Sequence, residues 1–201
     1  MIPDTRWSIE APWAQGQLRV FEPTLTEVLA AAPLLAAFYN DSHNSAMLTN
    51  THELTVAEVV ETFHSLRAAG DRPFLLEQDG ALMGDADFRN VNGAEAEFAI
   101  LIGRRAQQSR GLGTRYAAMM HVAALGVLGF DRIYATIIPT NIASRRMLDK
   151  LGYQVDQSPR AASFADAEDD VAMSIDRVQF ERVHADLLTQ AVITARAPSP
   201  D

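Results

Sequence analysis

Hydrophobic positions along this chain follow two different periods, and each change of period marks a change of element. Leu18-Arg19-Val20-Phe21 alternates weakly and reads as a first strand, closed by Pro23 and Thr24. Thr26 to Tyr39 is apolar and Ala-rich, which predicts a helix broken or kinked near Pro33. Residues 40–50 are polar and predict a loop. Thr55-Val56-Ala57-Glu58 has the spacing of a capping box, in which the Thr and Glu side chains satisfy each other's backbone N–H. The helix it opens runs to Ala69, and Gly70 stops it.

From Phe74 the period shortens. Phe74 to Gln78 is a strand, Asp79-Gly80 is a hairpin turn, and Ala81 to Arg89 is the return strand. Residues 90–93 make a second turn, and Glu95 to Ile102 is the third strand of a meander. Helix and strand then alternate. Thr114 to Leu128 is apolar on most sides and should lie buried against a sheet, with Gly129 ending it. Arg132 to Ile138 is a strand, Asn141 caps a helix through Leu151, and Gly152 ends that helix. Tyr153 to Val155 is a short strand, residues 157–169 a polar acidic loop, and Val171 to Ile175 the last strand. Arg177 to about Ala195 is a terminal helix with Phe180, Val183, Leu187 and Ala191 in one stripe, packed on the core or placed at a dimer contact. Residues 1–16, with two Trp and two Pro, read as an irregular lead-in. The whole is a mixed sheet in an α/β layout, divided into the lead-in 1–16, a main domain 17–176 and a C-terminal helix and tail 177–201.

Composition narrows the chemistry. There is no cysteine, which excludes disulfides, zinc–thiolate sites and a thiol nucleophile. The net charge of −9 argues against nucleic acid, whose phosphates need clustered Lys and Arg. Residues 1–16 include Asp4, Arg6 and Glu10 and no long apolar run, so neither a signal peptide nor a membrane span is expected, and the default location is cytoplasmic.

The sharpest signal is Gln108-Ser109-Arg110-Gly111-Leu112-Gly113-Thr114, between a strand and an apolar helix. Two glycines one residue apart let backbone approach a ligand, and a helix start offers unpaired N–H groups and a positive dipole end. Together they suit a phosphate. Arg104, Arg105 and Arg110 add positive charge to an otherwise acidic chain. On its own, Gly-x-Gly equally describes a plain connecting turn. A dinucleotide fingerprint would need a glycine where Tyr116 stands, and no Gly-Lys-Ser/Thr is present for a Walker loop.

Gln-x-x-Gly-x-Gly in this setting resembles the acetyl-CoA signature of the GNAT superfamily of N-acetyltransferases. The stretch Asn141-Ile142-Ala143-Ser144 to Asp149-Lys150-Leu151-Gly152-Tyr153 is similar to that family's second conserved segment, and Glu95 to Gly103 is similar to its fourth strand. The resemblance covers residues 17–176, and its nearest branch is that of ribosomal-protein N-terminal alanine and spermidine acetyltransferases. It implies an α/β GNAT fold: a mostly antiparallel mixed sheet with splayed fourth and fifth strands and helices on both faces. It implies acetyl-CoA, or another acyl-CoA, as cosubstrate and no metal. The pyrophosphate would lie on backbone from Ser109 through Thr114, with Gln108, Arg110, Gly111, Leu112 and Gly113 in the loop. The pantetheine arm would pair with the strand holding Phe98, Ile100, Leu101 and Ile102, and Asn141 and Ser144 would border it. An amine, on a small molecule or a protein, would attack the thioester directly.

Among candidate bases, Glu95 and Glu97 share one face of their strand, and Glu97 is nearer the pantetheine segment. Asp85 and Asp87 on the facing strand and His43 and His52 in the first-half loops are alternatives. Each is equally readable as an ordinary surface side chain. The Tyr that many family members carry seven residues after the motif Asn is Leu148 here. Ser144 lies on the same helical face as Leu148 and Leu151, and the resemblance implies that it serves the departing thiolate; a small core-facing residue is the plain alternative. The competing function is a silent acyl-CoA-binding module. A homodimer is compatible with either.

Overall fold

The structure is a computed structural model that describes residues 5–14, 16–48, 52–108 and 110–197. Among the described residues nine strands form one sheet: β1 (Trp7–Trp13), β2 (Gly16–Phe21), β3 (Arg72–Gln78), β4 (Ala81–Asn92), β5 (Glu95–Ile102), β6 (Arg132–Ile137), β7 (Gln154–Val155), β8 (Val171–Asp176) and β9 (Val192–Ala195). Their order is β7-β8-β6-β5-β4-β3-β2-β1-β9. Among the described residues only β5 and β6 run parallel; every other pair is antiparallel. Asp79 and Gly80 both have positive φ, 49° and 77°, as a two-residue hairpin turn needs. β4 runs past its expected end, through a register shift at Asn90 (φ 53°), to Asn92.

Helices cover both faces. On one, α4 (Leu112–Ala123), α5 (Ile142–Leu151) and α7 (Arg177–Gln190) pack on Ile9, Val20, Phe74, Phe88, Phe98, Ile133 and Ile175. α4 is buried nearly all round, as its apolar sequence predicts, and passes through one wider turn, Ala124–Leu128, before Gly129. Its His121 is fully buried. Nδ1 meets the Ala117 carbonyl at 2.7 Å, so it carries the proton, and Nε2 accepts from the Tyr153 hydroxyl at 2.6 Å. Burial pushes its pKa down to about 4. On the other face, α1 (Leu25–Tyr39) and α3 (Val56–Ala69) pack on Phe21, Leu75 and Leu101. Further along that face α6 (Pro159–Ala162) lays Ala161 and Phe164 on Tyr134.

Several expectations need correction. Residues 7–13 of the lead-in form β1: Ile9 and Ala11 alternate inward, and the strand pairs with both β2 and β9. The polar stretch after Tyr39 holds a helix, α2 (Ser42–Met47), capped by the Asp41 carboxylate. The acidic loop contains α6. The terminal helix stops at Gln190, its non-helical His184 interrupts it, and β9 follows in place of helix. Of its stripe, Phe180 and Leu187 are buried in the core while Val183 is exposed. Pro33 does not end α1: the carbonyl it leaves unpaired is that of Leu29, an exposed residue where water can bond.

Candidate active site

The start of α4 is built differently from the other helix starts. Thr24, Asp41, Thr55, Asn141, Ser158 and Asp176 each cap a helix with a side-chain oxygen. α4 begins at Gly111 (φ 83°) with no side-chain cap, so its leading N–H groups remain available to an anion. Gly111 holds a backbone conformation in which a side chain would be strained. Gly113 is different: a Cβ there would sit 3.4 Å from Ile102 Cγ1 and 3.7 Å from Met147 Sδ, so the fold itself has room. Arg104, Arg105 and Arg110 are exposed around the loop. Ser109 lies outside the described residues.

Gln108 faces inward. Its Nε2 donates to the Asn44 Oδ1 at 2.9 Å and to the Ile102 carbonyl at 2.8 Å. Asn44, buried in α2, donates in turn to the carbonyls of Phe38 and Gly103 at 2.9 and 3.1 Å. Gly103 must be glycine because a Cβ would lie 2.0 Å from the Phe38 ring. The end of β5, the glycine loop and the α1–α2 junction are thereby fastened together.

β5 and β6 pair only at Glu95↔Arg132, Ala96↔Ile133 and Glu97↔Tyr134. Beyond that point they diverge, and the edge of β5 from Phe98 to Ile102 has no ladder partner on the β6 side. This is the splay, and it opens where two neighbouring parallel strands end and their helices, α4 and α5, begin, the usual place for a ligand in such sheets. An extended pantetheine arm fits an unpaired strand edge as an added strand would.

Glu97 stands at the last paired position of the splay. Its Oε1 accepts from the Thr136 hydroxyl at 3.1 Å across the opening, and its Oε2 accepts from Asn90 at 2.8 Å. It is 8% exposed, and burial raises its pKa above the usual carboxylate range. On β4 the register sets Asp85 opposite Leu101, Asp87 opposite Ala99 and Arg89 opposite Glu97, all on the α1 face. Arg89 grips Asp87 through Nε and Nη2 at 2.8 and 3.3 Å. The Tyr39 hydroxyl donates to Asp85 Oδ2 at 2.5 Å. Glu95 accepts from Tyr134 and Arg160. The two histidines stand apart from this row: His43 is in α2, and His52 pairs with Glu58 at the exposed start of α3.

Asn141 caps α5 by accepting from the Ser144 N–H at 3.0 Å. Ser144 is half-buried and its hydroxyl makes no hydrogen bond within the described residues; Leu148, one turn on, is 2% exposed in the core. Tyr39, Asn44, Thr136 and Arg160 carry no motif in the sequence. Only the folded sheet brings them to the site.

An unpaired strand edge, an uncapped helix start after it and a buried carboxylate thus lie together at the splay. The chain belongs to the GNAT acetyltransferase family: the family model for the acetyltransferase (GNAT) domain matches residues 23–154. Its members are N-acetyltransferases that use acetyl-CoA. Three acetyltransferases are among the solved structures that share the fold. The RimJ of Mycobacterium smegmatis in complex with CoA-disulfide is 19% identical, with a TM-score of 0.70, 94% of this chain and 96% of that one being covered. The aminoglycoside acetyltransferase AAC(6')-Ib in complex with coenzyme A and kanamycin is 17% identical, with a TM-score of 0.67 over 83% and 99%. The spermidine N-acetyltransferase of Vibrio cholerae in complex with CoA and spermine is 15% identical, with a TM-score of 0.67 over 81% and 97%. No curated protein sequence matches the chain. No helix among the described residues is long and apolar enough to cross a membrane.

Proposed function

We propose that this enzyme transfers the acetyl group of acetyl-CoA to a primary amine by direct attack, with the amine bound on the α1 face of the sheet, beside the splay. Acetyl-CoA supplies the activated carbonyl. The chain supplies a phosphate cradle at Gly111 to Thr114, a strand edge from Phe98 to Ile102, a base and a hydrogen bond for the leaving sulfur. A cytoplasmic location belongs to the same reading, since the cosubstrate is available there.

The observation that carries this reading is Glu97. A base for an amine must hold its proton acceptor beside the attacking nitrogen and must have a conjugate acid that is only weakly acidic. Glu97 sits where the strands part, and burial raises its pKa. Thr136 and Asn90 fix its carboxylate from two sides, which leaves the other lone pairs for an amine or a bridging water. In this reading Ser144, at the first turn of α5 with an unengaged hydroxyl, donates to the thiolate.

The test is thiol release from acetyl-CoA with a panel of primary amines, run on the wild type and on Glu97→Gln. Turnover in the wild type that falls steeply in the variant supports the reading. Tight acetyl-CoA binding without turnover on any amine favours a silent binding module instead, a reading that the buried Leu148 in the usual tyrosine position keeps open.

A further inference from the structure

Four carboxylates line the α1 face beside the splay, and three have a partner on each oxygen. Asp87 has Arg89, Glu97 has Asn90 and Thr136, and Glu95 has Tyr134 and Arg160. Asp85 is the exception. Its Oδ2 holds the Tyr39 hydroxyl, but its Oδ1 is buried with no hydrogen-bond partner among the described residues. The residue is 6% exposed. A buried carboxylate oxygen without a donor is costly, by about 1–3 kcal/mol or more. Such an oxygen beside a candidate acceptor site is matched by a donor that arrives from outside. Burial raises the carboxyl pKa to about 7, so an incoming cation would find it ready to ionise.

Its position relative to Glu97 indicates what that donor is. Asp85 is opposite Leu101, four residues along β5 from Glu97, a span of about 13 Å along the strands. Between them the register places Asp87 and Ala99 opposite each other, and both are partly exposed, the Asp87 side chain to 17%, so solvent reaches the floor there. Ala99 is small, and the charge of Asp87 is already matched by Arg89. An extended chain can lie over this floor with one end at each carboxylate.

We infer that Asp85 seats a second cationic group of the acceptor, so that the enzyme selects extended di- or polycationic amines whose far ammonium rests on Asp85 while the near amine reacts at Glu97. The inference rests on the acetyl-transfer reading above and goes further by naming the acceptor class. Charge-assisted hydrogen bonds of this kind are the stronger sort.

The experiment compares kcat/KM for octylamine, octamethylenediamine and ethylenediamine. Octamethylenediamine can span the two carboxylates; ethylenediamine cannot. The wild type should favour octamethylenediamine over octylamine by on the order of tenfold, which corresponds to about 1.4 kcal/mol. Ethylenediamine should show no such advantage. In Asp85→Asn, which keeps the shape and the Tyr39 contact, the ratio between octamethylenediamine and octylamine should collapse toward one. A merely structural Asp85 would lower both rates together and leave the wild-type ratio standing, and that overturns the inference. Equal kcat/KM for the three amines in the wild type overturns it without any variant, while leaving the acetyl-transfer reading intact. No turnover on any amine defeats both.

Discussion

Gln108 donates to Asn44 at 2.9 Å, so the glutamine that opens the glycine loop faces into the protein, away from any phosphate. Its role is to hold the loop against the end of β5 and against α2. Asn44 is the centre of that arrangement, giving two hydrogen bonds and accepting one while buried. Asn44→Ala removes a hydrogen bond from each of three partners, the Phe38 and Gly103 carbonyls and the Gln108 amide. It should lower stability by about 1–3 kcal/mol and raise KM for acetyl-CoA more than it lowers kcat. Urea unfolding and steady-state kinetics at saturating amine check both.

Gly113 separates the ligand's needs from the fold's. A Cβ at Gly113 meets neighbours only at ordinary contact distances, whereas Gly111 needs a positive φ. Gly113→Val should fold and melt near the wild type, yet lose acetyl-CoA affinity by on the order of tenfold, about 1.4 kcal/mol. Calorimetric titration reads the affinity. Unchanged binding in a folded variant contradicts the phosphate cradle.

Glu97→Gln should lower turnover by roughly a hundredfold, the low end for a general base, with acetyl-CoA affinity little changed. Burial raises the Glu97 carboxyl pKa, and the base works only when ionised. The wild-type rate should therefore fall with acidification earlier than an ordinary carboxylate would dictate. That part of the pH profile should vanish in the variant.

Ser144→Ala should cost about tenfold in kcat, since a thiol with a pKa near 8.5 leaves readily without much help. Leu148→Tyr tests the other half of the substitution. Leu148 is 2% exposed, so a tyrosine overpacks the core and should destabilise by about 1–3 kcal/mol. Any rescue of Ser144→Ala by Leu148→Tyr would have to overcome that loss.

His121 gives the fold an acid sensitivity. Its pKa is near 4 when buried and about 6.5 in an unfolded chain. Below pH 6.5 the unfolded state takes up a proton that the folded state refuses, so this contribution is present above that point and drains away as pH falls toward 4. The loss should approach about 3 kcal/mol, at 1.36 kcal/mol per unit. Unfolding free energies at pH 7 and pH 4.5, compared with His121→Phe, should show the slope reduced in the variant.

The features legible in the sequence are those whose cause is local. Thr55 and Glu58 form their capping box within one turn, Asp79-Gly80 turns a hairpin by itself, and the glycine loop announces a helix start. The alternation of Glu95 and Glu97 already set them on one face. What escaped depends on distant partners. β9 itself is β-branched, Val192-Ile193-Thr194, but the helical stripe that runs through Leu187 and Ala191 masks it, and the β1 edge it pairs with lies far away in the sequence. α2 has almost no apolar period, and it holds through the Asp41 cap and the buried bonds of Asn44. Tyr39 on Asp85 and Arg160 on Glu95 join residues far apart in the chain, which no local pattern encodes.

The pairing of β1 with β9 ties Trp7 to Ala195 and Glu10 to Val192, nearly the whole chain apart. That ladder cannot close before residue 195 has been made, whereas the meander of β3, β4 and β5 joins strands that are neighbours in sequence. The seam between the two ends is then the last to form and, having only one strand beyond β2 to anchor it, the first to open. Proteolysis or amide exchange of a partly opened molecule should begin there.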